Sequence, residues 1–151
     1  MCGLAGIVSN EIDENYRHLI VSRMMKFIKN RGPDENIICS YKKSTFGFAR
    51  LSIREIKNGS QPFLHKKKST FSMTNGEIYN YSYLKDRYSD CEWVTNSDCE
   101  AIHNAYDNGD FEREIKLISG MFASSIYDAS EDSVILIRDR VGQKPLFITK
   151  E

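Results

Sequence analysis

Cys2 is the residue of this chain whose position is chemically unusual. A small side chain after Met1 permits removal of the initiator methionine, which would leave Cys2 at the start of the mature chain with a free α-amine. An α-amine has a reference pKa of ~8 and a thiol ~8.5, so near neutrality the amine can take the proton from its own residue's sulfur. The resulting thiolate is competent to attack an amide carbonyl. The tetrahedral oxyanion then needs preorganised N–H donors, and its collapse expels the nitrogen and leaves a thioester for water to open. On position alone, a small buried hydrophobe in the first strand is an equal reading of Cys2.

Other residues suit that chemistry, each with a plainer alternative. Asn75-Gly76 is first of all a hairpin turn between two strands. Its chemical reading is an oxyanion hole, with the Asn75 side-chain amide and the Gly76 backbone N–H donating, and a residue without Cβ lets a substrate approach closely. Arg50 closes an apolar strand and either snorkels to water or forks onto a substrate carboxylate. Asp98 is expected to open a helix, where the dipole favours a carboxylate, and Glu77 follows the turn; both are also acceptors for an α-ammonium group. Together these residues would hold the two charged ends of a free amino acid and leave its side-chain amide facing the sulfur.

The elements that must position them follow from periodicity. Gly3 to Val8 is an apolar run that reads as a buried strand at the chain start. Glu14 to Asn30 is an amphipathic helix with its apolar stripe at Tyr16, Ile20, Met24, Phe27 and Ile28, closed by Gly32-Pro33. Ile37 to Tyr41, Thr45 to Ile53 and Ser69 to Thr74 read as strands, with a loop from Lys57 to Pro62. Ser82 caps a short helix towards Tyr88, and Ser97 with Glu100 forms a capping box for a helix ending near Asn108-Gly109. A short helical piece through Ile115 to Ile118 precedes three strands, Met121 to Tyr127, Val134 to Arg138 and Leu146 to Thr149. Strands in runs with helices between the runs predict an α+β protein with antiparallel sheets.

Length and composition set limits. At 151 residues, 40% hydrophobic, the chain supports one domain with a core of its own. Lys plus Arg and Asp plus Glu balance at 21 each, with no basic stripe beyond Lys66 to Lys68, so neither nucleic acid nor an acidic membrane is an expected partner. No apolar run is long enough to span a bilayer and no signal-peptide pattern opens the chain, which predicts a cytoplasmic protein. Cys2, Cys39, Cys91 and Cys99 show no metal-type spacing with one another or with His18, His65 and His103, so no metal site is expected.

Seven ordered blocks carry a resemblance: Met1 to Ile7, Arg31-Gly32-Pro33-Asp34, Ala49 to Ile53, Asn75 to Asn80, Ser97 to Glu100, Gly120 to Ala123 and Arg138 to Leu146. Together they resemble the class II glutamine amidotransferase domain, an N-terminal-nucleophile hydrolase. Arg31 to Asp34 and Gly142 to Leu146 point to its asparagine synthetase branch. The resemblance spans essentially the whole chain and implies one glutaminase domain over residues 1–151, an αββα sandwich of two antiparallel sheets between helix layers. It implies catalysis by Cys2, with Asn75 and Gly76 holding the oxyanion. It implies that Arg50 binds the α-carboxylate of glutamine, Glu77 and Asp98 its α-amine, and backbone groups around Leu51 and Ile53 the rest.

Two departures stand out. Ser124 and Ser125 occupy a strand that is more apolar in the family. The family also continues past Thr149 with a strand and helix, then an ATP-using domain bearing a phosphate loop. The sandwich is therefore expected to be truncated at its C-terminus, with no cofactor in this chain; ATP and magnesium belong to a separate synthetase domain or subunit. Three readings follow: a glutaminase supplying ammonia to a separate synthetase, a non-catalytic glutamine-binding or assembly module, and an inactive fragment. Retention of every implied site residue favours the first over the second, and the missing end keeps the third open.

Overall fold

The structure is a computed structural model that describes residues 2–52 and 59–149. Strands β1 (Gly3–Val8), β2 (Glu35–Tyr41) and β3 (Ser44–Arg50) form one antiparallel sheet in the order β1-β3-β2. Strands β4 (Phe63–His65), β5 (Thr70–Ile78), β6 (Gly120–Asp128) and β7 (Ser133–Arg138) form a second, in chain order. Helix α1 (Glu14–Ile28) runs into a 3-10 turn at Lys29–Arg31; α2 (Tyr81–Arg87), α3 (Glu100–Asp107) and α4 (Phe111–Glu114) lie between β5 and β6 in sequence.

Side-chain alternation along the strands builds three apolar layers. Phe46 and Phe48 of β3 meet Phe71 and Met73 of β5 and Tyr127 of β6, filling the space between the sheets. Residues of opposite parity point outward. Ala49 packs with Val21 and Met25 of α1, and Ile78, Phe122 and Ile126 pack with Leu84, Ala101, Ile102 and Ala105 of α2 and α3. Helix, sheet, sheet, helix is the resulting order, the expected αββα sandwich.

The helix of residues 14–28 forms where expected, capped by Asp13, whose carboxylate accepts the Tyr16 N–H, but it buries a different stripe. Arg17, Val21 and Met25 face the sheet, while Tyr16, Met24 and Phe27 are exposed. Two parallel apolar stripes competed in the sequence, and the sheet chose between them. A Cβ at Gly47 would stand 2.6 Å from Met25 and 2.9 Å from Val21, so the missing side chain there seats this stripe. Arg17 is buried because its guanidinium donates to the carbonyls of Ile12 (2.5 Å) and Lys42 (2.9 Å).

Other expectations are corrected. Asn75-Gly76 is no hairpin turn: β5 runs unbroken through both, paired with Ala123 and Phe122 of β6. The 97–100 capping box is absent, since the Glu100 carboxylate accepts N–H from Val94 and Thr95 instead. Residues 146–149 form no strand. Arg138 folds the preceding loop back by donating to the carbonyls of Gly142 (2.6 Å) and Lys144 (2.7 Å), and Phe147 and Ile148 are exposed. The short strand β4 begins just past the expected loop, in residues for which the sequence suggested no strand.

Candidate active site

Strand parity places the polar candidates on the inner faces of the two sheets. Arg50 continues the Phe46, Phe48 row of β3, and Asn75 and Glu77 continue the Phe71, Met73 row of β5. Where the aromatic rows stop, a pocket of about 620 Å³, counting the solvent at its mouth, opens between the sheets. Cys2, Arg50, Leu51, Asn75, Gly76, Glu77 and Asp98 all line it. Ile53 lies outside the described residues.

The half-buried sulfur of Cys2 is fixed by one backbone unit: it accepts the Leu51 N–H at 3.4 Å, and its thiol donates to the Leu51 carbonyl at 3.7 Å. The Arg31-to-Asp34 block shapes this corner. Arg31 Nε donates to the Cys2 carbonyl at 3.1 Å, the Asp34 N–H donates to the Arg50 carbonyl at 3.1 Å, and the Asp34 carboxylate accepts the Ser52 N–H at 2.7 Å. A Cβ at Gly32 would collide with the Ala49 carbonyl group, so only glycine lets this block lie against the end of β3. Arg50 itself is buried and forms an ion pair with Glu35 at 3.6 Å, whose carboxylate also accepts the Ser60 hydroxyl.

One edge of β5 explains the donor arrangement. β4 pairs with β5 only as far as Ser72. Two residues on, the Thr74 N–H and C=O are taken by the Gln61 side-chain amide at 2.6 and 2.9 Å, so Gln61 stands in for a strand. At Ile78 the N–H donates to Asp98 Oδ2 at 2.6 Å. Gly76 lies midway, and strand alternation points its N–H along the same edge, between Gln61 and Asp98, both of which line the pocket. Its carbonyl accepts the Cys99 thiol at 3.3 Å. A Cβ at Gly76 would run into the Met121 carbonyl and stand 2.6 Å from the Phe122 Cβ; close approach of β6 demands glycine here. Asp98 therefore sits in the turn before α3, tied to β5, rather than at the helix's first position.

Lys144, Met121, Gln61 and Ser97 also line the pocket and were not singled out from sequence. Lys144 lies within the 138–146 block, whose geometry depends on Asp139. That buried carboxylate accepts N–H from Gln143 (2.8 Å), Lys144 (2.9 Å) and Phe122 (3.2 Å). Burial pushes its pKa up, and these backbone donors outweigh burial and hold it below the usual carboxylate range. Cys99 also lines the pocket, whereas Cys39 and Cys91 do not. Burial raises the Cys39 thiol to about 11 and also pushes Cys91 and Cys99 up, which keeps all three in the thiol form at neutral pH.

Comparison with known proteins settles the family. The model of the glutamine amidotransferase domain matches residues 1–151. The chain belongs to the glutamine amidotransferase domain family. It is 41% identical over 155 residues to asparagine synthetase [glutamine-hydrolyzing] 2 of Bacillus subtilis (strain 168), covering 99% of this chain and 20% of that protein. It is 31% identical over 149 residues to asparagine synthetase B [glutamine-hydrolyzing] of Escherichia coli (strain K12), covering 98% of this chain and 27% of that one. The chain thus spans about a fifth to a quarter of these relatives' length. Among solved structures, the glutamine phosphoribosylpyrophosphate amidotransferase of B. subtilis aligns over 68% of this chain and 24% of its own, with a TM-score of 0.54 and 20% identity. The likeness shows that this amidotransferase domain has the same fold.

A second polar cluster lies towards the other end of β5. Donor atoms of His65, His103 and Asp107 fall within 4.8 Å of one another, a convergence that sequence spacing did not reveal. All three are already hydrogen-bonded. His65 Nδ1 lies 2.6 Å from Asp107 Oδ2 and Nε2 lies 3.1 Å from Glu100 Oε1, an imidazolium between two carboxylates. Burial works against that charge, but the Asp107 and Glu100 hydrogen bonds prevail and raise His65 to about 9. His103 stacks on the His65 ring at 3.8 Å, and burial, then the neighbouring charge, pushes its pKa well down. As a neutral ring it donates from Nε2 to Thr70 Oγ1 (2.7 Å) and accepts the Ser72 hydroxyl at Nδ1 (2.8 Å).

Proposed function

We propose that this domain hydrolyses glutamine to glutamate and ammonia with Cys2 as nucleophile. The observation that carries the reading is the single pocket in which the Cys2 sulfur, the Asn75–Gly76 segment, Arg50, Glu77 and Asp98 converge. With Met1 removed, the Cys2 α-amine takes the thiol proton and the sulfur attacks the side-chain carbonyl of glutamine. The oxyanion is met by the Asn75 amide and by the Gly76 N–H, which the short β4 leaves facing the pocket. The carbon–nitrogen bond breaks, the nitrogen leaves as ammonia after taking up a proton, and water opens the γ-glutamyl thioester to return the thiol.

Recognition uses both ends of the substrate. Arg50, pinned by Glu35, takes the α-carboxylate, and Glu77 and Asp98 take the α-ammonium. Ammonia released here is used for asparagine synthesis, which the relatives' names support, by a synthetase domain or subunit. That synthetase, and not this domain, holds ATP and magnesium, and the domain acts in the cytoplasm without nucleic acid or membrane.

Glutamate release from glutamine by the parent and by Cys2→Ala, with calorimetric binding of glutamine to both, tests the reading. Turnover is expected to vanish in Cys2→Ala while glutamine still binds. Equal glutamate release by the two proteins would refute a role for the sulfur.

A further inference from the structure

The buried cluster around His65 is connected to the pocket by a continuous chain of hydrogen bonds. His65 Nε2 meets Glu100 Oε1 at 3.1 Å. The same carboxylate accepts the Val94 N–H (2.6 Å), the Thr95 N–H (2.8 Å) and the Thr95 hydroxyl (2.5 Å). Thr95 Oγ1 in turn accepts the Ser97 N–H at 3.0 Å, and Ser97 and its neighbour Asp98 line the pocket. Residues 94–97 form neither helix nor strand, and Asp98, which follows them, is tied to β5 through the Ile78 N–H at 2.6 Å. Glu100 holds the segment that leads into Asp98; its side chain is fully buried, and His65 is the cationic partner beside it.

We propose that His65, outside the pocket, is a positioning residue for glutamine binding: it anchors Glu100 and, through Glu100, the 94–97 segment that presents Asp98 to the substrate. The inference rests on the function proposed above. His65 sits on β4, across from Thr70 of β5. The titratable groups facing it are Glu100 and Asp107 by hydrogen bond and His103 by ring stacking, all on α3. His103 bonds to Thr70 and Ser72 on β5 and has no bond on the path to residues 94–97. The two histidines, adjacent in space, thus have separable roles.

The sign of the pH effect follows from the charge. A histidine raised from 6.5 to about 9 by its carboxylates supports the fold fully below 6.5, and that support drains away as pH rises through about 9. Glutamine's own α-ammonium also titrates in the alkaline range, so the informative quantity is the ratio of KM between variant and parent, from which the substrate cancels. For His65→Asn we expect KM for glutamine to rise about tenfold with kcat nearly unchanged, as loss of a charged hydrogen bond implies. The KM ratio should fall towards one above pH about 9, where the parent also loses the charge. Thr95→Val, on the same path, should raise KM by about threefold. His103→Asn should lower the thermal midpoint and leave KM alone.

A folded His65→Asn protein with parental KM, or a KM ratio flat with pH, would overturn the proposal. So would a thermal midpoint of the parent that rises with zinc and loses that response in His65→Asn, since the cluster would then be a metal centre. Hydrogen exchange separates this inference from the proposed function. Val94 and Thr95 amides should exchange at least about tenfold faster in His65→Asn. If the parent releases no glutamate, the function falls while exchange still tests the anchor; if exchange is unchanged, the anchor falls by itself.

Discussion

The two faces of β5 both carry polar side chains, and they behave differently. On the face towards the helices, Thr70, Ser72 and Thr74 are buried and their hydroxyls bond to Asp107, His103 and Ser124, closing the sheet onto α3 and β6. On the face towards the other sheet, Asn75 and Glu77 follow two core side chains and open onto the pocket beside Cys2. The first set is polar because a buried hydroxyl with a partner costs little and fixes register. The second set lines the pocket, where it offers charge and donors to the substrate proposed above. Burial with internal partners marks scaffold, and an opening beside Cys2 marks the candidate site.

That contrast can be broken from either side. Gly76→Val should be the most damaging change, because β6 leaves no room for a side chain; a loss of about 3 kcal/mol in a denaturant melt is expected, with glutaminase activity lost as well. Arg50→Lys should spare the fold, since an ammonium can keep the Glu35 pair. Without the fork for a carboxylate, though, KM for glutamine should rise about thirtyfold, equivalent to about 2 kcal/mol.

The adjacent serines of β6 give the finest comparison. Ser124 bonds to Thr74 Oγ1 at 2.7 Å and to the Met73 carbonyl at 3.2 Å, whereas the buried Ser125 hydroxyl has no partner among the described residues. Ser124→Ala is expected to cost about 1 kcal/mol, and Ser125→Ala to stabilise by somewhat less than that. Equal effects of the two would deny that pairing distinguishes buried polar groups in this sheet. Of the two serines in this strand, only Ser125 thus has an energetic cost.

Much of this was legible in the sequence because period-two alternation is local; the expected caps were not, since Ser82 lies inside α2 and Ser97 does not cap α3. β1, β6 and β7 lie where the apolar runs put them, and α1 ends close to its expected limit. What failed was decided at a distance. Asn75-Gly76 looks like a turn until β6 is laid beside it, for the glycine serves the close approach of Met121 and Phe122 rather than a reversal. Glu100 looks like a cap until His65, 35 residues earlier, takes it inward. Of the candidate site, the residues named from sequence, Cys2, Arg50, Asn75, Gly76, Glu77 and Asp98, line one pocket. Lys144 and Gln61 were not legible, because their places depend on Asp139 and on the truncation of β4's pairing, neither of which has a sequence period.

The most direct test is to trap the intermediate. The protein is mixed with glutamine, quenched in acid within the first turnover, digested, and the Cys2 peptide weighed. The account predicts a γ-glutamyl group, glutamine less ammonia, in thioester linkage at Cys2 and on none of Cys39, Cys91 or Cys99. Glutamate released at full rate with no acyl group ever found on Cys2, or with the group on another cysteine, would contradict it.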